Sequence, residues 1–212
     1  MMNTKKISGV VFDFGGVMTT TTMPTRVIDL AAKLNIPYKP ISDGFDKYRL
    51  QYDGGFMTIE EMYDHIWSDA GLDLPKDVRE AFLAADVSCW LYHNEKTLHW
   101  MKALKERGFK IGILTNMAPK FAQDHFKNEF SEYIVQADAM VISGEVKLFK
   151  PQKEIYELLQ SRIGLPPEEL CFIDDLEVNI NAAKNCRWQG IRFINNEQVE
   201  RDFEALLAAA AN

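Results

Sequence analysis

Three scarcities narrow this 212-residue chain before any motif is read. Cysteine is rare: Cys89, Cys171 and Cys186 are an odd number without metal-type spacing, so a reduced cytoplasmic setting is expected, with Cys171 in the core. Positive charge is in deficit. The 24 Lys and Arg stand against 31 Asp and Glu, a formal net charge of -7, which argues against a broad nucleic-acid-binding face. The deficit does not exclude a small phosphorylated partner, because one lysine, a divalent cation and a few backbone N–H groups hold a single phosphate. Long apolar runs are missing as well, and none approaches the roughly 18–20 residues of a membrane span. The basic opening MMNTKK leads into an apolar stretch too short for a signal peptide and broken by Asp13. No internal repeat is present, and oligomeric state is not legible.

What is there is an ordinary globular composition, 47% hydrophobic and 26% charged, enough for one α/β domain carrying a smaller insert. Short apolar runs alternate with amphipathic helical patterns, which predicts a Rossmann-like parallel sheet with crossover helices. The runs are Ile7–Phe12, Lys110–Leu114, Ala139–Ile142, Leu170–Ile173 and Gly190–Ile194. Helices are expected at Asn94–Arg107, Pro151–Arg162, Val178–Asn185 and Gln198–Ala211. Between the first two strands, Thr19–Trp90 shows no strand and is too long for a structureless loop. Phe45, Tyr48, Arg49 and Tyr52 follow helical spacing there, and Thr58–Glu61 forms a capping box. The expected division is an α/β core at 1–18 and 91–212 with a helical cap at 19–90. Thr19–Thr22 reads either as a small hairpin flap or as a linker. The aromatic stripe Phe45, Tyr48 and Tyr52 reads first as the cap's own packing, and the four histidines as structural or solvent-facing.

In a parallel sheet, ligands bind outside the carboxyl ends of the strands. Four of the five runs end in polar residues: Asp13, Thr115-Asn116, Ser143 and Asp174-Asp175. Singly, each has a plain role as a turn or helix-cap residue. Together they predict one polar crevice.

In this order the motifs resemble those of the haloacid dehalogenase-like (HAD) hydrolase superfamily, from Val10 to Phe193. The first is Val10-Val11-Phe12-Asp13-Phe14-Gly15-Gly16-Val17, the second Ile113-Leu114-Thr115-Asn116. The third is Phe149-Lys150-Pro151, and the fourth Phe172-Ile173-Asp174-Asp175 with Asn179 beyond it. The resemblance implies a phosphoryl-transfer enzyme with Mg²⁺ as cofactor and Asp13 as nucleophile. The metal would be held by Asp13, the Gly15 carbonyl, Asp174 and Asp175. Phosphate would be held by Phe14, Gly15, Thr115, Asn116 and Lys150. Arg49, Tyr52 and Asp53 are the polar cap residues placed for leaving-group recognition.

One position departs from the family's phosphatases, which carry a second Asp two residues after the nucleophile as general acid and base. Here Gly15 stands there, and such catalysis is typically worth ~10²–10⁴-fold. The chain is similar in this to an α-glucose-1-phosphate phosphatase-like subgroup, which implies a sugar 1-phosphate whose anomeric oxygen leaves readily. Two alternatives stay open: a catalytically weak binding or regulatory protein of the same fold, and a metal-independent 2-haloacid dehalogenase.

Overall fold

The computed structural model describes residues 6–20 and 24–211. Five strands form one wholly parallel sheet in the order β3-β2-β1-β4-β5: β1 Gly9–Phe12, β2 Lys110–Thr115, β3 Ala139–Ile142, β4 Leu170–Asp174 and β5 Gln189–Arg192. The first strand lies at the centre, with Val11 opposite Gly112 on one side and Phe172 on the other. Both faces are covered, so β1 and β4 are buried at every residue and read as unbroken apolar runs.

Alternation along β1 sorts the core into two layers. Val10 and Phe12 face Leu98, Met101 and Leu104 of helix α5 (Glu95–Glu106) together with Phe203 of the C-terminal helix Asn196–Ala211. Val11 faces Ile155 and Leu159 of the helix Lys153–Ile163 and Ile180 of the helix Glu177–Asn185.

Between β1 and α5 the described residues form four helices, α1 Thr25–Lys33, α2 Tyr38–Asp53, α3 Ile59–Ala70 and α4 Lys76–Cys89. Their inward residues, among them Val27, Ile41, Met62, Ile66, Trp67 and Phe82, form a third apolar cluster. The predicted capping box opens α3: Thr58 N–H donates to Glu61 Oε2 at 2.7 Å and Glu61 N–H to Thr58 Oγ1 at 3.1 Å. Helix α2 can approach α3 closely because Gly44 has no side chain, and a Cβ there would lie 2.4 Å from Ile66 Cγ1. Tyr52 belongs to this cluster, and Phe45 and Tyr48 pack on its edge, so the aromatic stripe packs the cap while Phe45 and Tyr52 also line a cavity.

Several boundaries differ from the sequence expectation. The helix expected from Pro151 begins at Lys153, because Phe149 and Gln152 close their own hydrogen-bonded turn first. The last strand stops at Arg192, where Ile194 N–H turns to Gln198 Oε1. The segment after β2 is helical from Pro119 to Glu129, with a π-turn at Ala122–Phe126 that the pattern did not announce. Thr19 and Thr20 pair with His93 and Tyr92. The remainder of the expected flap, Thr21 and Thr22, lies outside the described residues. Cys89, Cys171 and Cys186 are all buried and unpaired. No helix among the described residues is long and apolar enough to cross a membrane.

Candidate active site

Asp13 leaves the sheet at the carboxyl end of its central strand. Its N–H still donates to Ile173 O of β4 at 2.9 Å, which sets its side chain beside Asp174, the last residue of β4. Lys150 joins the two: its Nζ lies 2.7 Å from Asp13 Oδ1 and 2.7 Å from Asp174 Oδ2. The lysine is 2% exposed and comes from the loop after β3. Asn116 holds that loop, accepting from Lys150 N–H at 2.8 Å and donating to Lys150 O at 3.0 Å. Asn116 therefore clamps the lysine's backbone and caps no helix. Asp174 is oriented further by the N–H of Leu176 at 2.8 Å and by Asn179 Nδ2 at 3.0 and 3.1 Å.

Thr115 ends β2, fully buried, and among the described residues its hydroxyl makes only a long 3.4 Å contact to Asn116 O. The Phe14 ring packs among Phe121, Phe126 and Phe130, while its carbonyl accepts from the N–H groups of Val17, Met18 and Thr19. The N–H groups of Phe14 and Gly15 donate to no group among the described residues. Ser143 does not enter the crevice. Its hydroxyl instead donates to Asp53 O at 2.6 Å and accepts from Met117 N–H, tying the end of α2 to the end of β3.

One carboxylate oxygen from each of Asp13, Asp174 and Asp175 lies within 4.8 Å of the others. An all-oxygen set of this kind fits a hard cation such as Mg²⁺. The electrostatics fit it too. Burial pushes the Asp13 carboxyl well above the usual range, with Lys150 pulling it down and Asp174 pushing it up. Burial, then Asp174, puts Asp175 at about 6. For Lys150, burial works against the ammonium, but Asp13 and Asp174 outweigh it and raise its pKa. Three carboxylates share one ammonium, and the surplus negative charge is what a divalent cation balances.

A cavity of about 400 Å³ opens above this floor, roofed by α2 and α4. Arg49, Tyr52 and Asp53 all line it, together with Asp86 and Trp90, which sequence reasoning missed. Arg49 Nη1 donates to both oxygens of Asp86 at 3.2 and 3.1 Å, and its Nε lies 3.3 Å from Asp53 Oδ1. Asp86, 1% exposed, also accepts from Tyr63 Oη at 3.2 Å and Trp90 Nε1 at 3.1 Å. One signal was available. Phe82, Asp86 and Cys89 share the buried stripe of α4, and an acid on such a stripe requires partners. The Arg49 guanidinium in turn lies over the Trp90 ring, 5.3 Å from its centroid.

Trp90 also explains Gly15. A Cβ at Gly15 would lie 3.2 Å from Trp90 Cζ3, so the indole crowds the space that a side chain there would enter and would have to shift by a few tenths of an ångström.

The family's model, haloacid dehalogenase-like hydrolase, matches residues 7–187, and the chain belongs to that family. Among solved structures, a HAD-family enzyme from Bacteroides thetaiotaomicron in complex with magnesium and inorganic phosphate superposes with a TM-score of 0.68. It is 24% identical, over 88% of this chain and 93% of that one. An (S)-2-haloacid dehalogenase of Pseudomonas fluorescens is 28% identical over 195 residues, 85% of this chain and 82% of the relative. A bifunctional epoxide hydrolase 2 of Mus musculus is 24% identical over 160 residues, 74% of this chain. The match spans only 29% of that longer protein.

Proposed function

We propose that this hydrolase is a Mg²⁺-dependent phosphatase acting on a small phosphorylated metabolite, with Asp13 as nucleophile. The observation that carries the reading is the Asp13–Lys150–Asp174 bridge with Asp175 beside it, at the floor of a cavity of metabolite size. When bound, the cation would neutralise phosphate oxygens and draw the dianion against the carboxylate cluster. Lys150 holds Asp13 by Oδ1, which leaves Oδ2 to attack phosphorus in line. The unpartnered N–H groups of Phe14 and Gly15, with Thr115 Oγ1, complete a phosphate cradle. The aspartyl-phosphate then yields to water. Helices α1–α4 act as the cap that excludes bulk water and contacts the leaving group.

The leaving group is inferred from the roof and from Gly15. Asp46 and Asp53 offer acceptors beside the Trp90 and Tyr52 rings, a lining suited to a hydroxyl-bearing group such as a sugar. With glycine in place of the acid two residues after Asp13, a sugar 1-phosphate, whose anomeric oxygen leaves readily, is favoured, and hexose 1-phosphates should turn over faster than 6-phosphates. A reducing cytoplasmic setting suits the three unpaired cysteines.

Phosphate release from p-nitrophenyl phosphate and a sugar-phosphate panel, with Mg²⁺ and with chelator, tests this reading. Activity should vanish with chelator and fall by about 10⁴-fold or more in Asp13→Asn, the scale of nucleophile loss in covalent catalysis. Full activity in either case sinks it. The dehalogenase relative supports a second reading, nucleophilic attack by Asp13 on carbon. Metal-independent chloride release from 2-chloropropionate would establish that alternative. Capture of a partner without turnover of any ester would favour a binding protein.

A further inference from the structure

We propose that Asp53 is the general acid and base of this site, delivered by α2 in place of the side chain that Gly15 lacks. The proposal rests on the phosphatase reading above. Asp53 is the last residue of α2 and lines the same cavity as Asp13 and Lys150. Its Oδ1 faces Arg49 Nε, while Oδ2 bonds to no group among the described residues.

The residue is also anchored to the core. Ser143 Oγ donates to its carbonyl at 2.6 Å, and Lys147 Nζ donates to the carbonyl of Gly55, two residues on. At Gly55, φ is +71° and a Cβ would lie 3.0 Å from Gly144 O, so the turn after Asp53 sits directly on the loop after β3. The carboxyl is thereby fixed relative to the strand ends that carry Asp13. At Gly15 itself the Trp90 indole crowds the position from which the usual acid would act.

The charged and titratable groups facing Asp53 are Arg49 and Tyr52 on its own helix, Asp86 on α4 and Lys150 below. Burial outweighs the two cations and leaves Asp53 at about 6, where a carboxyl can both give and take a proton near neutrality. In the first step Asp13 Oδ2 forms a bond to phosphorus and the ester P–O bond breaks. The departing oxygen takes the Asp53 proton, leaving an alcohol and the Asp53 carboxylate. In the second step a water loses its proton to Asp53 as its oxygen bonds to phosphorus, and the bond to Asp13 breaks. Inorganic phosphate, the Asp13 carboxylate and protonated Asp53 result, so the site is returned as it began.

The test compares leaving groups in the Mg²⁺-loaded protein. Asp53→Asn should lower kcat/KM on hexose 6-phosphate and glycerol phosphate about 10²-fold or more, because the alkoxide needs a proton. The loss on p-nitrophenyl phosphate, whose phenolate leaves unprotonated, should stay below about 10-fold, which also reports that the variant is folded. The rate of the native chain on alkyl phosphates should show a pH limb with a midpoint near Asp53's raised pKa, absent in the variant. Equal losses on both ester classes overturn the proposal. So does a native chain whose rates already depend on the leaving group as steeply as those of Asp53→Asn, a measurement that needs only the slope. If the native chain releases phosphate from no ester at all, the phosphatase reading itself fails, which is a separate result.

Discussion

The cavity has a cation clasped between carboxylates on both its floor and its roof, Lys150 buried below and Arg49 a quarter exposed above, and the two clasps are built differently. On the floor, Lys150 meets Asp13 and Asp174 at 2.7 Å each, and all three are fixed to strand ends or to a loop clamped by Asn116. On the roof, Arg49 meets Asp86 at 3.1 Å and Asp53 at 3.3 Å, joining helix faces. The floor carries surplus carboxylate at Asp175, with atoms left for a ligand. On the roof, Asp86 also takes bonds from Tyr63 and Trp90 and is satisfied by protein alone, while Asp53 keeps one oxygen unbonded among the described residues. The two clasps therefore differ in where they leave oxygens unbonded, on Asp13 and Asp175 below and on Asp53 above.

Removing the cation from each clasp should separate the two most sharply. Lys150→Ala leaves Asp13 and Asp174 buried without a counter-ion, which costs about 3–5 kcal/mol on the scale of broken buried pairs. Urea unfolding should show that loss in chelator and a partial recovery in Mg²⁺, and turnover should be lost. Asp86→Ala on the roof strands Tyr63 Oη and Trp90 Nε1 and should cost about 2–4 kcal/mol. Mg²⁺ should not recover that loss, so an equal Mg²⁺ response in both variants would erase the contrast drawn here.

A pH titration sharpens the comparison on the roof alone. Burial holds Asp53 at about 6 against an ordinary value of 3.8. Between those values the folded chain holds a proton that the unfolded chain has released, so stability falls as pH rises through the window and levels off above it. The window spans about 2 pKa units, so Asp53's share of that fall is at most about 3 kcal/mol. Asp53→Asn removes the slope, and the gap between variant and native chain should grow from pH 4 to 6.5 in denaturant melts. A constant gap would mean that Asp53 ionises normally.

The smallest expected effect falls between the two clasps, at Gly15. Gly15→Ala should cost about 1 kcal/mol as Trp90 gives way, and Gly15→Asp about 1–3 kcal/mol, the range of overpacking. Neither should speed alkyl phosphate turnover, since the indole already crowds the place of an acid. Faster turnover in Gly15→Asp would show that Trp90 yields.

The floor was legible in the sequence because each of its parts is local. An apolar run followed by Asp, Thr-Asn or Asp-Asp can be read within a few residues, and a parallel sheet brings all such ends to one side. The strand expectations held to within a few residues for the same reason. Arg49, Tyr52 and Asp53 were placed near the leaving group by the helical pattern around them, but what they bond was not visible. Ser143 was grouped with the site and proved to be a tie between α2 and the sheet. Asp86 and Trp90 carried only the weak signal of an acid on a buried stripe.

What the sequence determined by itself is the set of strand-end groups and the family they define, because short-range periodicity and the geometry of parallel strands leave few other arrangements. Tertiary structure alone decided the roof. Arg49 and Asp86 lie 37 residues apart, and Trp90 meets Gly15 across the whole run of α1–α4. Contacts between distant segments depend on how helices pack, which no local pattern encodes. The glycine that reads in sequence as a missing acid is, in three dimensions, a place already crowded.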